Sequence, residues 1–289
     1  MSTPDLRGRR VLITGASAGI GRSTALALGA MGAELILAGR SAERHAEVIG
    51  ALAARGVKAT FEPVDLADLP TVAALSARLR AGLDRVDVLV NNAGLAGQRG
   101  ATKQGFELAF GTNHLGPFAL TAGLLPLLEK SAEPRVVNVA SRAHARTKTI
   151  DLGAVQQPTR TTTGFPEYGV SKLANVLHAR GLARRYPWLF AASLHPGVIA
   201  SDIWREVPGP ARFLIKLFMK DNDTGAATSI MLASQPLSTL ERGGYYSETV
   251  LTRPNRAARD DALEAELWAK SEAWARANGG LEASPQNAG

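Results

Sequence analysis

Short apolar runs alternate with longer amphipathic or alanine-rich stretches along most of the chain. Arg10–Thr14, Glu34–Ala38, part of 57–64, Val86–Val90, Arg135–Ala140 and Phe190–Leu194 are short and apolar, the pattern of strands buried on both faces. Between them the pattern predicts helices over Arg22–Met31, Ala42–Arg55, Thr71–Leu83 and Phe106–Leu128, the last bent at Gly116–Pro117. A further helix carries Tyr168 and Lys172 near its start and runs to Arg184. Thr224–Ala233 and Asp260–Ala277 follow as helices, the second with Leu263, Leu267 and Trp268 on one face, and Gly243–Tyr246 turns into a last short strand. Strands and helices in this order make right-handed crossovers in a parallel sheet. The expectation is a doubly wound α/β sandwich of three layers around a mostly parallel, seven-stranded sheet. No repeat or linker divides it, so one domain is expected over 1–289, with a core at about 8–275 and a frayed tail at about 278–289. A lid is expected at about 202–222; its stretch Trp204–Lys220, apolar and basic together, could instead be an amphipathic surface helix that touches a membrane.

Composition narrows the chemistry. There is no cysteine, which excludes disulfides, thiolate metal sites and cysteine catalysis, and is compatible with a cytoplasmic protein. Met1–Arg10 is short and polar, unlike a signal peptide, and no run approaches the roughly 18 apolar residues of a membrane span. The formal charge of +7 comes from arginines spread along the chain. No basic patch interleaved with aromatics stands out, so a nucleic-acid partner is not expected.

Candidate chemistry lies where strands end. Gly15-Ala16-Ser17-Ala18-Gly19-Ile20-Gly21 sits between a strand and a helix. Such a turn lets backbone N–H groups approach a pyrophosphate, and the helix start favours the same anion. It could also be a tight turn without a ligand. After the second strand comes Gly39-Arg40, where chains that prefer NAD usually carry an acid. A guanidinium there can hold a 2′-phosphate, which favours NADP and leaves NAD open; a solvated helix cap is the alternative. Asp65, followed by Leu66, could accept from an adenine amine or cap the next helix. Asn91-Asn92-Ala93-Gly94 ends the fourth strand with small residues that admit a flat ligand. Asn113 stands among apolar neighbours and needs partners, and could hold open a helical turn and order water. Ser141 ends the fifth strand, and the long polar connection 142–166 after it passes around the expected mouth, with His144 and Asp151 as weak substrate contacts. Tyr168 and Lys172, four residues apart, share one helical face. The lysine lowers the cost of ionising a phenol whose free pKa is near ~10, so that it can pass a proton near neutrality. After the sixth strand, Pro196-Gly197-Val198 makes a sharp turn whose backbone could hold a carboxamide.

Taken together and in this order, Thr14–Gly21, Asp65, Asn91–Gly94, Asn113, Ser141, Tyr168/Lys172 and Pro196-Gly197 resemble the short-chain dehydrogenase/reductase family, classical type, over roughly 8–275. A closer resemblance, to the retinol dehydrogenase and WW-domain-oxidoreductase-like group, rests on Thr112–Gly116, Arg135–Val139, Ser171–Asn175, His195–Gly197, Gly39-Arg40 and Leu267-Trp268 with Ser271-Glu272. The resemblance implies a Rossmann-type fold and NADP(H)-dependent interconversion of an alcohol and an aldehyde or ketone, with no metal. It implies Tyr168 as general acid/base, Ser141 on the substrate oxygen, Lys172 on the ribose and Asn113 in a proton relay. It further implies that Gly15, Ser17, Ala18, Gly19, Ile20 and Gly21 line phosphates and ribose, that Arg40 selects the 2′-phosphate, and that Asp65 and Leu66 hold adenine. Asn91, Ala93 and Gly94 would flank the nucleoside, with Tyr168, Lys172, Pro196, Gly197, Val198 and Ser201 on the nicotinamide side. The substrate is expected to be a small, fairly apolar carbonyl or alcohol, and the assembly a homodimer or homotetramer. Departures from the group are the lack of a leading membrane anchor, Ala140 in place of a second serine, and Pro117 where histidine is frequent, which would reshape the pocket wall. A steroid-like or polyketide-like ketoreductase and a non-catalytic NADP(H)-binding regulator are the competing readings.

Overall fold

The structure is a computed structural model that describes residues 4–197 and 222–281. Of the lid expected at about 202–222, residues 202–221 lie outside the described residues, as do Val198, Ser201 and the tail beyond Leu281.

The apolar runs form strands β1 (Arg10–Thr14), β2 (Glu34–Gly39), β3 (Ala59–Pro63), β4 (Val88–Asn91), β5 (Arg135–Val139), β6 (Phe190–His195), β7 (Tyr245–Ser247) and β8 (Val250–Leu251). They make one sheet in the order β3-β2-β1-β4-β5-β6-β7-β8, parallel except for the last pair. Eight strands replace the expected seven. The extra one closes a hairpin through Glu248 and Thr249, both at positive φ (52° and 72°). A turn of this kind usually announces itself by Asn-Gly or Asp-Gly, and neither is present.

Alternation along each strand builds the layers. Leu12, Ile36, Leu89, Val136 and Ala191 share one core. Helices α3 (Leu69–Gly82), α5 (Gly116–Leu128), α6 (Phe165–Arg185) and α8 (Asp261–Ala277) contribute to this core. Val11, Ile13, Leu35, Leu37, Val90 and Val137 share the other, beneath α1 (Gly19–Ala30), α2 (Ala42–Ala53) and α7 (Asn222–Ser234). Asp260 caps α8, its Oδ1 accepting from the N–H groups of Ala262 and Leu263. The chain past α8 stays attached where fraying was expected: Gly280 N–H donates to Ala275 at 2.8 Å and Leu281 packs on the core. No helix among the described residues is long and apolar enough to cross a membrane.

The expected break at Gly116–Pro117 is a change of helical winding. A short α4 (Leu108–Phe110) runs through a π-helical turn, Gly111–Leu115, into α5. Pro117 sits in the first turn of α5, where its missing N–H is tolerated. Gly116 lies against the β3–α3 connection, and a Cβ there would overlap the Leu66 carbonyl. Gly116→Ala is therefore expected to destabilise the protein by about 1–3 kcal/mol, overpacking outweighing the better helix propensity of alanine. Urea denaturation of both proteins checks this; equal stability would mean that α5 can retreat from Leu66.

Candidate active site

Strands β1, β4, β5 and β6 are in register, so Thr14, Asn91, Val139 and His195 finish near one edge of the sheet. The order reverses between β1 and β4, where connections leave for opposite faces and a crevice opens. A cleft of about 1540 Å³ occupies this edge. It is walled by the turns after β1, β2, β3, β4, β5 and β6 and by the start of α6.

One face of α6 is pinned to β5 by buried polar groups. Lys172 Nζ donates to the Val139 carbonyl at 2.8 Å, and Asn175 Nδ2 approaches the same oxygen at 3.3 Å. One turn further, His178 Nδ1 lies 3.2 Å from Asn138 Nδ2. This seam sets the start of α6 beside the end of β5, and brings the Tyr168 hydroxyl near enough to Ser141 for the serine to favour the phenolate. Ser141 also receives the Ala143 N–H at 3.2 Å, opening the 3₁₀ turn Arg142–Arg146. Ser141, Tyr168 and Lys172 thus line one cleft. Lys172 Nζ stands over the Tyr168 ring, 5.6 Å from its centre.

Burial sets the protonation of this pair. It pushes Lys172 down to about 7, because a buried ammonium loses its hydration. It raises the Tyr168 phenol, with Ser141 opposing. The fold thus raises the phenol pKa rather than lowering it, desolvation being the largest effect on both groups.

Asn113 lies in the π-helical turn, fully buried and behind the cleft wall. Its amide is used within the protein: Oδ1 accepts from Leu95 N–H, and Nδ2 donates to Leu95 O and Ser171 Oγ, each at 2.9 Å. The side chain therefore ties α6 to the β4 loop. Pro117 is buried away from the cleft, so it does not reshape the pocket wall.

At the other end, Gly15, Ser17, Ala18, Gly19, Ile20 and Gly21 all line the cleft. Gly15 has φ +69°, and a Cβ there would come within 2.8 Å of Ala93. The start of α1 has no side-chain cap and no acid in its first turn, so its N–H groups are open to an anion. Arg40 lines the cleft, exposed and without an ion pair among the described residues; Ser41, not Arg40, caps α2. Asp65 and Leu66 also line it, and Asp68 takes the cap position of α3. Ala93, Gly94, Pro196 and Gly197 complete the expected set.

Asn91 does not reach the cleft. It is buried between strands, donating to Asn138 Oδ1 at 2.9 Å and Thr121 Oγ1 at 3.0 Å, because the residue ends a strand facing the helical layer. Its neighbour Asn92 lines the cleft instead and locks β4 to β1 through Thr14 O at 2.9 Å and Gly15 O at 3.1 Å. His144 and Asp151 are not among the described residues that line the cleft: His144 is buried with Nδ1 2.6 Å from Ser141 O, and Asp151 accepts from Gly153 and Ala154 N–H. Sequence reasoning missed Arg44 and Arg146, which line the cleft. Arg44 stands four residues past Arg40, the one signal that could have found it; Arg142, which also lines the cleft, and Arg146 belong to a connection legible only as polar and irregular.

Known proteins resemble this chain in sequence and in fold. A Streptomyces sp. (strain C5) protein named as a daunorubicin C-13 ketoreductase, DnrU, is 36% identical over 270 residues, 93% of each chain. Human dehydrogenase/reductase SDR family member 13 is 36% identical, covering 97% of this chain and 77% of the relative. Mouse retinol dehydrogenase 14 is 36% identical, covering 92% and 86%. Among solved structures, an uncharacterized Mycobacterium paratuberculosis protein superposes with TM-score 0.77 at 32% identity, over 94% and 95% of the two chains. The Pseudomonas aeruginosa RhlG/NADP active-site complex gives TM-score 0.66 at 27% identity, over 84% and 95%. The short chain dehydrogenase family profile matches residues 9–209, and with these relatives it shows that the chain belongs to that family.

Proposed function

We propose that the protein is an NADP(H)-dependent oxidoreductase that interconverts an alcohol and an aldehyde or ketone. The observation that carries this is the convergence of Ser141, Tyr168 and Lys172 on a cleft whose far end holds a glycine turn, an uncapped helix start and Arg40, which has no ion pair among the described residues. These residues fit a phosphorylated dinucleotide: open N–H groups for the pyrophosphate, a guanidinium for a 2′-phosphate, and Asp65 with Leu66 for the adenine. The NADP complex of RhlG is a relative with the same fold. When bound, NADP(H) supplies or takes up the hydride at its nicotinamide ring.

The chain's own residues handle the proton and the oxygen. Ser141 donates to the substrate oxygen as charge develops there, and Tyr168 gives or takes the proton. Lys172 in its charged form lowers the cost of a Tyr168 phenolate, and an anionic ligand in the cleft favours that form. Asn113 supports a proton relay through Lys172, anchoring a water that refills the lysine. Apolar side chains at the substrate end, among them Leu95, Leu108, Phe165 and Val170, suit an apolar substrate body. The retinol dehydrogenase relatives favour a primary alcohol or aldehyde, and the DnrU match favours a ketone on a polycyclic substrate.

Tyr168→Phe is expected to lower kcat about 10²–10⁴-fold in NADPH-dependent reduction of an aldehyde and ketone panel, while NADPH affinity changes little. Equal turnover would remove Tyr168 from its role. Arg40→Asp is expected to move the ratio of NADPH to NADH dissociation constants at least about tenfold toward NADH, as loss of a charge-assisted phosphate contact requires. Unchanged discrimination, read by cofactor fluorescence titration, would refute the phosphate role. Lys172 gives a third test in cofactor-free protein. Its pKa is about 7 folded against 10.5 for an ordinary lysine, so the unfolded chain binds more protons between those limits. Stability should therefore rise as pH climbs from about 7 toward 10, and Lys172→Met should lack that rise. Parallel urea midpoints across this range would show no difference if the lysine keeps an ordinary pKa.

A further inference from the structure

The cleft is charged unevenly. Asp65, beyond β3, is the only carboxylate among its described lining residues. The guanidiniums stand in two pairs, Arg40 with Arg44 after β2 and Arg142 with Arg146 after β5. Strands β2 and β5 are separated by β1 and β4, so the pairs lie three strand spacings apart, roughly 14 Å at ~4.8 Å each. The first pair is accounted for by the dinucleotide reading. The second is not.

Arg142 follows Ser141 directly, and Arg146 stands four residues on. Both are exposed, and neither has a hydrogen-bond or ion-pair partner for its guanidinium among the described residues. The carboxylates of the same connection are spent elsewhere. Asp151 accepts from the N–H groups of Gly153 and Ala154, and Glu167 accepts from Arg160 and Thr161. The 3₁₀ turn that bears the arginines is fixed from below. Asn255 Nδ2 donates to His144 O at 3.0 Å and Thr147 O at 2.8 Å, and His144 Nδ1 donates to Ser141 O at 2.6 Å. Arg253 and Arg256, on either side of Asn255, are exposed and also unpaired among the described residues, which adds to the positive field at this mouth. Guanidiniums on an anchored turn, with no acid beside them among the described lining residues, make a fork for a carboxylate or phosphate.

We propose that the natural substrate is an amphiphilic carbonyl or alcohol whose acidic group, a carboxylate or phosphate ester, is held by Arg142 and Arg146. This rests on the oxidoreductase reading above. The apolar body lies along Leu95, Leu108 and Phe165, and the acid anchors the end that leaves the cleft beside Ser141.

The test compares 4-carboxybenzaldehyde, its methyl ester and 4-formylphenyl phosphate as substrates with NADPH, using the full chain and the double variant Arg142→Gln/Arg146→Gln. Both side chains are exposed, so folding is expected to survive. Wild type should favour at least one acid over the ester about tenfold or more in kcat/KM, mainly through KM. The preference should weaken with salt and fall about tenfold in the double variant. The acid preferred, carboxylate or phosphate, identifies the source of the anion. No preference for either acid in wild type, or a preference that the double variant keeps, overturns the proposal. If none of the three is reduced, calorimetric binding of 4-carboxybenzyl alcohol against its methyl ester decides the anion site separately. Tighter binding of the acid that the double variant loses supports the site while the oxidoreductase reading falls. Equal binding removes the site as well.

Discussion

The Val139 carbonyl is the point on which the site turns. It is the last residue of β5, and its oxygen receives Lys172 Nζ and faces Asn175 Nδ2. A buried ammonium must find partners or lose its charge, and here it finds a strand end. That contact orients α6 along the sheet edge, so that Tyr168, one turn earlier, meets Ser141 just beyond the strand. On the opposite side Asn113 reaches Ser171 and the Leu95 backbone, so α6 is held from two directions. The groups proposed to carry the chemistry are therefore also groups that dock the helix.

A second seam secures the outer side of α6. Arg185 pairs with the buried Glu264 of α8 at 2.5 Å and stacks on Trp268, 4.2 Å from the ring centre. His114 bonds Ser271 at 3.0 Å, and His178 packs against Phe118 and Trp268. Burial pushes His114 down to about 3 and His178 well below its usual range, so both rings are neutral packing elements in the folded protein. The C-terminal helix thereby closes the core against which the site is built. The cleft itself is left with arginines at both ends and little negative charge between them, an arrangement that costs self-repulsion and makes sense for anionic ligands.

The order of elements, the parallel sheet and the identity of Ser141, Tyr168, Lys172 and the glycine turn were legible from residue pattern, because strand periodicity, Gly spacing and a four-residue helical step are local properties. The β7–β8 hairpin was not legible, since Glu248 and Thr249 adopt positive φ without the residues that normally signal it. Nor was the attachment of 278–281, which depends on the Ala275 carbonyl and on Leu69 across the fold.

Tertiary packing decided which polar residues face the ligand and which face the core. Asn91 and Asn92 are adjacent and chemically identical, yet the pleat turns one inward to Asn138 while the other, beyond the strand, reaches the cleft. Tyr168 and Lys172 could be chosen by spacing, but the direction of their pKa shifts came from burial that spacing does not contain. The sequence by itself determined the sheet and the chemical groups available at its edge. Only the folded chain determined their solvation and partners, because both depend on what distant segments bring to the same few ångströms.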